Sequence, residues 1–409
     1  VLFWGIAPDV VSKPLGALGL TADPFAILLL LHLTTTFPYM VRSLAAILEE
    51  IEIEYENAAR AAGASRLTAA RTITLPMFRS GMATGIILVV AKALSDTGGA
   101  FTALVLIRSP VYNGTGLIQY WKTEAGVPGQ EYLTQGLAFV SALMIVISIV
   151  LLIVLRQVAS RLHFPLKRVW PLAERRLSQG IAPKVRNLGA YSFLAFFIFL
   201  PSFFFMSYVF FAQPTQPIDW GLFWSAVGTS FVVGGVATGV DLVFGVPMGI
   251  LIARGRFRWL SQALDALVNV PYIVPSAALG ISLSLFWGAQ RTLSLSDIVL
   301  VTMAHVAFTF PFVVRNVVGA LEQLDPATEE TARTLGAKPI QVFRRVLFPS
   351  IRPAILAGSI MAFTRSLGET GATQSVSTAT ETIPIFIVNL ITKTQDYYQA
   401  ALAQVALLF

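Results

Sequence analysis

The sequence predicts an all-α, polytopic membrane protein built from two tandem parallel modules of six helices each, the first shortened at its N-terminal side and the second at its C-terminal side. Three observations lead there. Of 409 residues, 55% are hydrophobic and only 12% are charged, about half the charged share of an ordinary soluble domain. Long runs such as 138–155 and 188–211 carry no charge, and each approaches the roughly 20 residues a helix needs to cross a bilayer. The third observation is an internal duplication at a shift of 273 residues.

The spans justify the class one by one. Because lipid offers the backbone no hydrogen-bonding partner, each apolar run is expected as a helix. Such runs fall near 24–47, 82–107, 134–156, 188–212, 222–252, 262–287, 297–320 and 354–378. Partial spans are expected at Val1–Ile6 and from Ala400 to Phe409, as in a fragment cut within a helix at both ends. The connection 156–187 holds eight Lys and Arg residues, from Arg156 to Arg186, against Glu174 as its single acid. The short turn 253–258 holds Arg254, Arg256 and Arg258. Basic loops stay in the cytoplasm, so both face inward. The connections near 108–133, 213–221, 288–297 and 379–399 are poorer in Lys and Arg and face outward. This gives a first module over 1–158, a basic cytoplasmic linker over 159–187 and a second module over 188–409. The net charge of +7 is explained by this asymmetry and does not call for nucleic acid as a partner. The absence of cysteine excludes disulfides, thiolate metal sites and a thiol nucleophile.

The duplication aligns 32–99 with 305–372 without a gap, about 20 of the 68 positions being identical. His32 falls on His305, Phe37–Pro38 on Phe310–Pro311, Arg42 on Arg315, and Thr97–Gly98 on Thr370–Gly371. The halves share one orientation, and parallel repeats commonly place a pathway at their mutual interface.

The best-matched part of the repeat lies in the two cytoplasmic loops, 48–80 and 321–352. In the second, Asp325 suits an N-cap and Pro326 the first helical position. Glu329 and Glu330 sit near the positive helix end, and Gly336 can take the left-handed conformation that stops a helix. The first loop repeats this plan with Glu56, Asn57, Ala58, Ala59 and Gly63. In each copy a proline, Pro76 or Pro349, follows the glycine by 13 residues. These residues resemble the EAA loop of the permeases of binding-protein-dependent ABC importers: Glu-Ala-Ala, three residues, Gly, then a hydrophobic-Leu-Pro ending. The sequence departs from that pattern at Asn57, where the family has Glu, and at Thr331, where it has Ala. The resemblance implies that each short helix docks on an ATPase subunit, with small residues such as Ala58, Ala59 and Ala332 allowing close approach. It also implies two ATPase subunits, an extracytoplasmic substrate-binding protein and a prokaryotic inner-membrane location. No phosphate-binding Gly-x-x-x-x-Gly-Lys-Ser/Thr loop occurs. This chain is therefore expected to be no enzyme and to bind no cofactor, with ATP and Mg on the partner subunits.

Ionisable residues inside apolar spans are functional candidates by default. Lys92 and Asp96 lie four apart, as do their repeat equivalents Arg365 and Glu369, so each pair can neutralise itself. Thr97 and Thr370 follow, with glycines that either line a passage or permit close packing. Asp241 is expected to find a partner on another helix. His32 and His305 are expected to pack rather than bind metal. An ion-gradient-coupled transporter would explain the charges but not the two loops, and no catalytic set supports an intramembrane enzyme. For the solute, double permeases of this length resemble those for ferric iron, thiamine or phosphonates. Leu94–Asp96 with Gly98–Gly99 resembles the ferric iron type, and Leu367–Thr373 the sulfate, molybdate and tungstate type. The expectation is a small inorganic ion, ferric iron first.

Overall fold

The computed structural model describes residues 24–77, 79–106, 112–125, 132–161, 170–211, 217, 219–287, 295–394 and 396–407. The first half runs through α1 (Pro24–Glu50), α2 (Ile53–Ala61), α3 (Arg66–Ala69), a π-helical turn (Ala70–Thr74), α4 (Leu75–Met77), α5 (Arg79–Ser95), α6 (Gly98–Leu106), α7 (Gly114–Ala125) and α8 (Leu133–Arg161). The linker contributes α9 (Pro171–Leu177). The second half begins with α10 (Ala182–Leu194), a π-helical turn (Ala195–Phe199), α11 (Leu200–Phe211), α12 (Trp220–Arg254), α13 (Arg258–Ile273) and α14 (Ser276–Trp287). It continues with α15 (Asp297–Gln323), α16 (Pro326–Thr334), α17 (Pro339–Val342), a third π-helical turn (Phe343–Leu347), α18 (Phe348–Leu367), α19 (Gly371–Val376), α20 (Ile383–Thr392) and α21 (Tyr397–Ala406). Among the described residues there is no strand.

The repeat is reproduced residue for residue. A shift of 273 carries α1 onto α15, α2 onto α16, α3 onto α17, and the π turn at Ala70–Thr74 onto that at Phe343–Leu347. The two halves are thus parallel copies, as the sequence requires.

Of the eight full spans expected, five are single helices long and apolar enough to cross a membrane, and three are bent pairs. The run 262–287 is not one straight helix: α13 and α14 meet at 105°. Pro275 explains this, because a proline lacks an N–H and pushes the preceding residue out of the helical region; Val274 is extended, with ψ 131°. The run 82–107 bends by 49° between α5 and α6, and the run 354–378 stops at Leu367 before restarting as α19. The restart is stabilised locally: the Glu369 carboxylate accepts the Ala372 N–H at 2.9 Å, replacing a carbonyl that a continuous helix would offer. The outward connections 108–133 and 379–399 also differ from the expectation of plain loops, since they contain α7 and α20. The partial span at Val1–Ile6, linker residues Lys167 and Arg168, and Phe409 lie outside the described residues.

Small residues let the helices of the second half approach closely, as lipid-embedded helices require. A Cβ at Gly249 of α12 would lie 2.7 Å from Val317 of α15, and one at Gly358 of α18 would lie 3.1 Å from the Val313 backbone. The halves meet where Ile118 of α7 and Leu137 of α8 pack with Ala277 and Ile281 of α14, and where Gln119 of α7 reaches Gly371 of α19.

Candidate functional site

The two hairpins between the spans fold as the residues direct. Asp325 accepts from the Ala327 N–H at 2.9 Å, capping α16 ahead of Pro326. Gly63 and Gly336 have φ of +90° and +85°. Around them the closing hydrogen bonds match: Ala64 N to Ala59 O and Gly63 N to Arg60 O in one copy, Ala337 N to Ala332 O and Gly336 N to Arg333 O in the other. This is the glycine-closed helix end in which the left-handed residue turns the chain. A side chain at that φ costs about 1–2 kcal/mol. Gly336→Ala is therefore expected to speed hydrogen exchange across 326–342 several-fold, while Gly319→Ala, whose Cβ meets open space, leaves it unchanged.

The hairpins expose Asn57, Ala58, Glu330 and Gly336, with Ala59 and Ala332 half-buried. Large apolar groups stand out in the water beside them: Ile53 and Tyr55 in one copy, Leu335 and Ile340 in the other. The motif glutamates turn inward. Glu329 is buried and meets Arg254 Nε at 2.7 Å, while Arg254 also donates to the carbonyls of Leu321 and Leu324 at 2.8 Å each. Glu56 accepts from the Thr74 hydroxyl. Pro76 and Pro349 begin the helices that lead back into the membrane.

The four intramembrane charges divide differently from the expectation. Arg365 and Glu369 pair at 2.5 Å, with Glu369 buried. Lys92 and Asp96 form no such pair; Asp96 instead lies 3.9 Å from His32 Nε2. The reason is geometric. α5 ends at Ser95 and α18 at Leu367, so each acid sits just past a helix end, where four-residue spacing no longer guarantees contact. The long Arg365 fork still reaches its acid; Lys92 does not. His305 is held by Ser366 at 2.6 Å and Thr373 at 2.8 Å, and Asp241 receives the Thr309 hydroxyl of α15 at 2.5 Å.

Lys92 and Arg365 come together on the walls of one cleft between the halves. Its wide part, of about 700 Å³, is lined by Arg42, Ser43 and Met361 together with Tyr39, Tyr272 and both cations. Its narrow end, of about 50 Å³, adds Ser95, Ser276 and Phe308. Arg365 also stands 4.9 Å over the Phe308 ring. The wide part lies nearer the hairpins of α2 and α16 along α1 and α18. Among the described residues no carboxylate lines either part.

Beyond the narrow end the halves close on each other. Thr370 crowds Gly98, where a Cβ would lie 2.6 Å from the threonine Cβ. Thr97 crowds Gly371 in the same way, at 2.7 Å. Equivalent residues thus meet reciprocally, as they must at a pseudo-two-fold axis. α7 braces the seam from outside: Gln119 donates to Gly371 O and the Ser375 hydroxyl, and Lys122 to the carbonyls of Gln374 and Ser377. Burial pulls the Lys122 ammonium down to about 8. Sequence reading missed Gln119 and Lys122 because α7 has only ordinary amphipathic composition. It also missed Tyr39, Tyr272 and Ser276, which repeat alignment alone does not bring into one cavity.

Over 174 residues the chain is 38% identical to the sulfate transport system permease protein CysT of Salmonella typhimurium, covering 38% of this chain and 62% of that protein. It is 32% identical over 206 residues to the molybdenum transport system permease protein ModB of Mycobacterium tuberculosis, covering 44% of this chain and 78% of that one. A solved structure of a bacterial ABC transporter importing alginate superposes with a TM-score of 0.42 at 16% identity, over 56% of this chain and 91% of that one. The chain thus spans a little under two thirds of the length of the CysT relative. The family model described as binding-protein-dependent transport system inner membrane component matches twice, at residues 2–164 and 245–409. The chain is a multi-pass inner-membrane protein and belongs to the family of binding-protein-dependent transport system inner membrane components, whose domain it carries twice in one polypeptide.

Proposed function

We propose that the chain is the permease of an ATP-driven, binding-protein-dependent importer and that its solute is a small inorganic oxyanion of the sulfate or molybdate class. The observation that carries the solute reading is the cleft: Arg42, Lys92 and Arg365 line it, and among the described residues no carboxylate does. A cavity lined by one sign of charge with low-dielectric walls concentrates ions of the opposite sign. A dianion is favoured there, and a bare ferric ion meets three positive groups. The ferric-iron expectation rested on the length of the fused chain and on the Leu94–Asp96 and Gly98–Gly99 segment; Asp96 itself lies 3.9 Å from His32 and is not among the residues lining the cleft. The relatives named for sulfate and molybdenum transport favour the same choice.

In this reading an external binding protein delivers the anion above the Thr97–Gly98 and Thr370–Gly371 seam. ATPase subunits clasp the exposed faces of α2 and α16, and their closure rotates the halves so that the seam opens and the cleft loses its cytoplasmic exit. Tyr39, Tyr272, Ser95 and Ser276 offer hydroxyls to an oxyanion, while Lys92 and Arg365 balance its charge. In this reading hydrolysis belongs to the partners, one per hairpin.

Co-purification tests the coupling. Solubilised chain is expected to retain two ATPase subunits, and Gly336→Pro, which deforms the hairpin turn, to lose ATP-coupled transport. Full transport by that variant would contradict the role given to α16.

A further inference from the structure

The linker between the modules carries one acidic residue among its basic ones, and that residue is not in water. Glu174, on α9, is 7% exposed, although its neighbours Arg175 and Arg176 are exposed. Its carboxylate accepts from the Thr68 hydroxyl at 2.7 Å and from Arg71 Nε at 2.8 Å. Both donors belong to the first coupling hairpin, Thr68 on α3 and Arg71 in the π turn that follows. One turn on, Ser178 accepts the Leu67 N–H at 3.2 Å. The linker helix is thus pinned across the second arm of that hairpin by these hydrogen bonds, and those to Glu174 are charge-assisted.

The second hairpin is built otherwise. The position equivalent to Thr68 is Gln341, whose side chain turns back to accept the Lys338 N–H at 2.8 Å. Arg344, equivalent to Arg71, is exposed. From α9 the chain turns at Gly180, with φ +68°, into α10 and the membrane helix that opens the second module. That helix touches both halves: the Thr34 hydroxyl of α1 donates to Phe197 O at 3.0 Å, and α11 packs through Phe204 and Tyr208 in one cluster with Ile391 of α20 and Ala401 of α21.

We propose that Glu174 is a positioning residue that ties the first coupling hairpin to the leading helix of the second module, so that a load on one hairpin is shared by both halves. The fusion of the two modules would then be a mechanical strut, beyond a means of keeping equal copy number. This rests on the reading of 48–80 as an ATPase-coupling loop. A separate permease subunit has no such linker, so the device belongs to the fused chain. A buried carboxylate suits the task because charge-assisted bonds are stronger than neutral ones and lose most of their strength when the charge is removed.

Two readouts on Glu174→Gln test the idea. The first needs neither ATP nor solute: limited trypsin digestion at Arg175 and Arg176 of the full chain in membranes. Loss of one charge-assisted tie is expected to raise cleavage about tenfold. Arg71→Gln should match it, and Arg344→Gln should not. The second is the ratio of ATP hydrolysed to sulfate taken up by the reconstituted complex, expected to rise several-fold while ATP hydrolysis itself persists. Unchanged cleavage overturns the docking, and raised cleavage with an unchanged ratio overturns the strut. If Glu174→Gln does not accumulate, Thr68→Val, which removes one donor at similar volume, takes its place in both measurements. Failure of the unsubstituted complex to take up sulfate would fall on the proposed function; the uptake ratio is then read with molybdate, and the digestion result stands by itself.

Discussion

Gly371→Ala is expected to force the halves apart at the pseudo-two-fold axis and to let ATP be hydrolysed without productive transport. The added Cβ would lie 2.6 Å from the Ser276 hydroxyl and 2.7 Å from Thr97 Cβ, distances that real carbon atoms do not adopt. Both neighbours are themselves wedged. Ser276 begins α14 directly after the bend at Pro275, and Thr97 stands between α5 and α6. Neither has a flexible tail to move aside. Overpacking of this kind costs about 1–3 kcal/mol, which shifts the balance between closed and open seam by roughly five- to a hundred-fold. Since the cost falls on the closed seam alone, hydrolysis in the absence of binding protein should rise. The chain has no cysteine, so access can be read directly. A Ser95→Cys chain should be labelled from outside by a membrane-impermeant thiol reagent only when Gly371→Ala is also present. Equal labelling with and without the added methyl would mean the seam is not a barrier.

Arg365→Met should damage the protein and Lys92→Met should damage only its transport. Arg365 neutralises Glu369, which is 2% exposed and has no other cation within reach among the described residues. Removing one member of a buried ion pair costs about 3–5 kcal/mol because the other charge is left behind. The variant is expected to melt well below the unsubstituted protein in detergent. Arg365→Met with Glu369→Gln should recover most of that loss, since no charge then remains to strand. Lys92 faces the cleft with no acid within salt-bridge distance among the described residues, so Lys92→Met should melt normally yet lower anion uptake at least tenfold. Equal melting of the two single variants would refute the asymmetry between the halves.

That asymmetry marks where sequence reading stops. The 273-residue shift foretold that the two loops share one plan of short helix, glycine turn and second helix, because hairpin turns and caps are set by local residues: Asp325, Pro326, Gly63, Gly336. The bends were not foretold, since an apolar run looks the same whether or not Pro275 or Asp96 interrupts it. The Lys92–Asp96 pair failed for the same reason, spacing rules for side chains holding only while the helix continues. The cleft was half legible. Its cations stood out as charges in apolar spans, but their meeting on one wall depends on how two copies pack, and no single copy encodes that. Glu174 was visible only as an acid among basic residues, with nothing local to say what it would touch.

The most direct test of the whole account is solute uptake by this chain reconstituted in vesicles with its ATPase subunits and binding protein. The account predicts uptake of sulfate or molybdate that requires ATP, persists when ion gradients are collapsed, and falls at least tenfold in Lys92→Met. Uptake of ferric iron with no response to either oxyanion, or oxyanion uptake driven by an ion gradient without ATP, would contradict it.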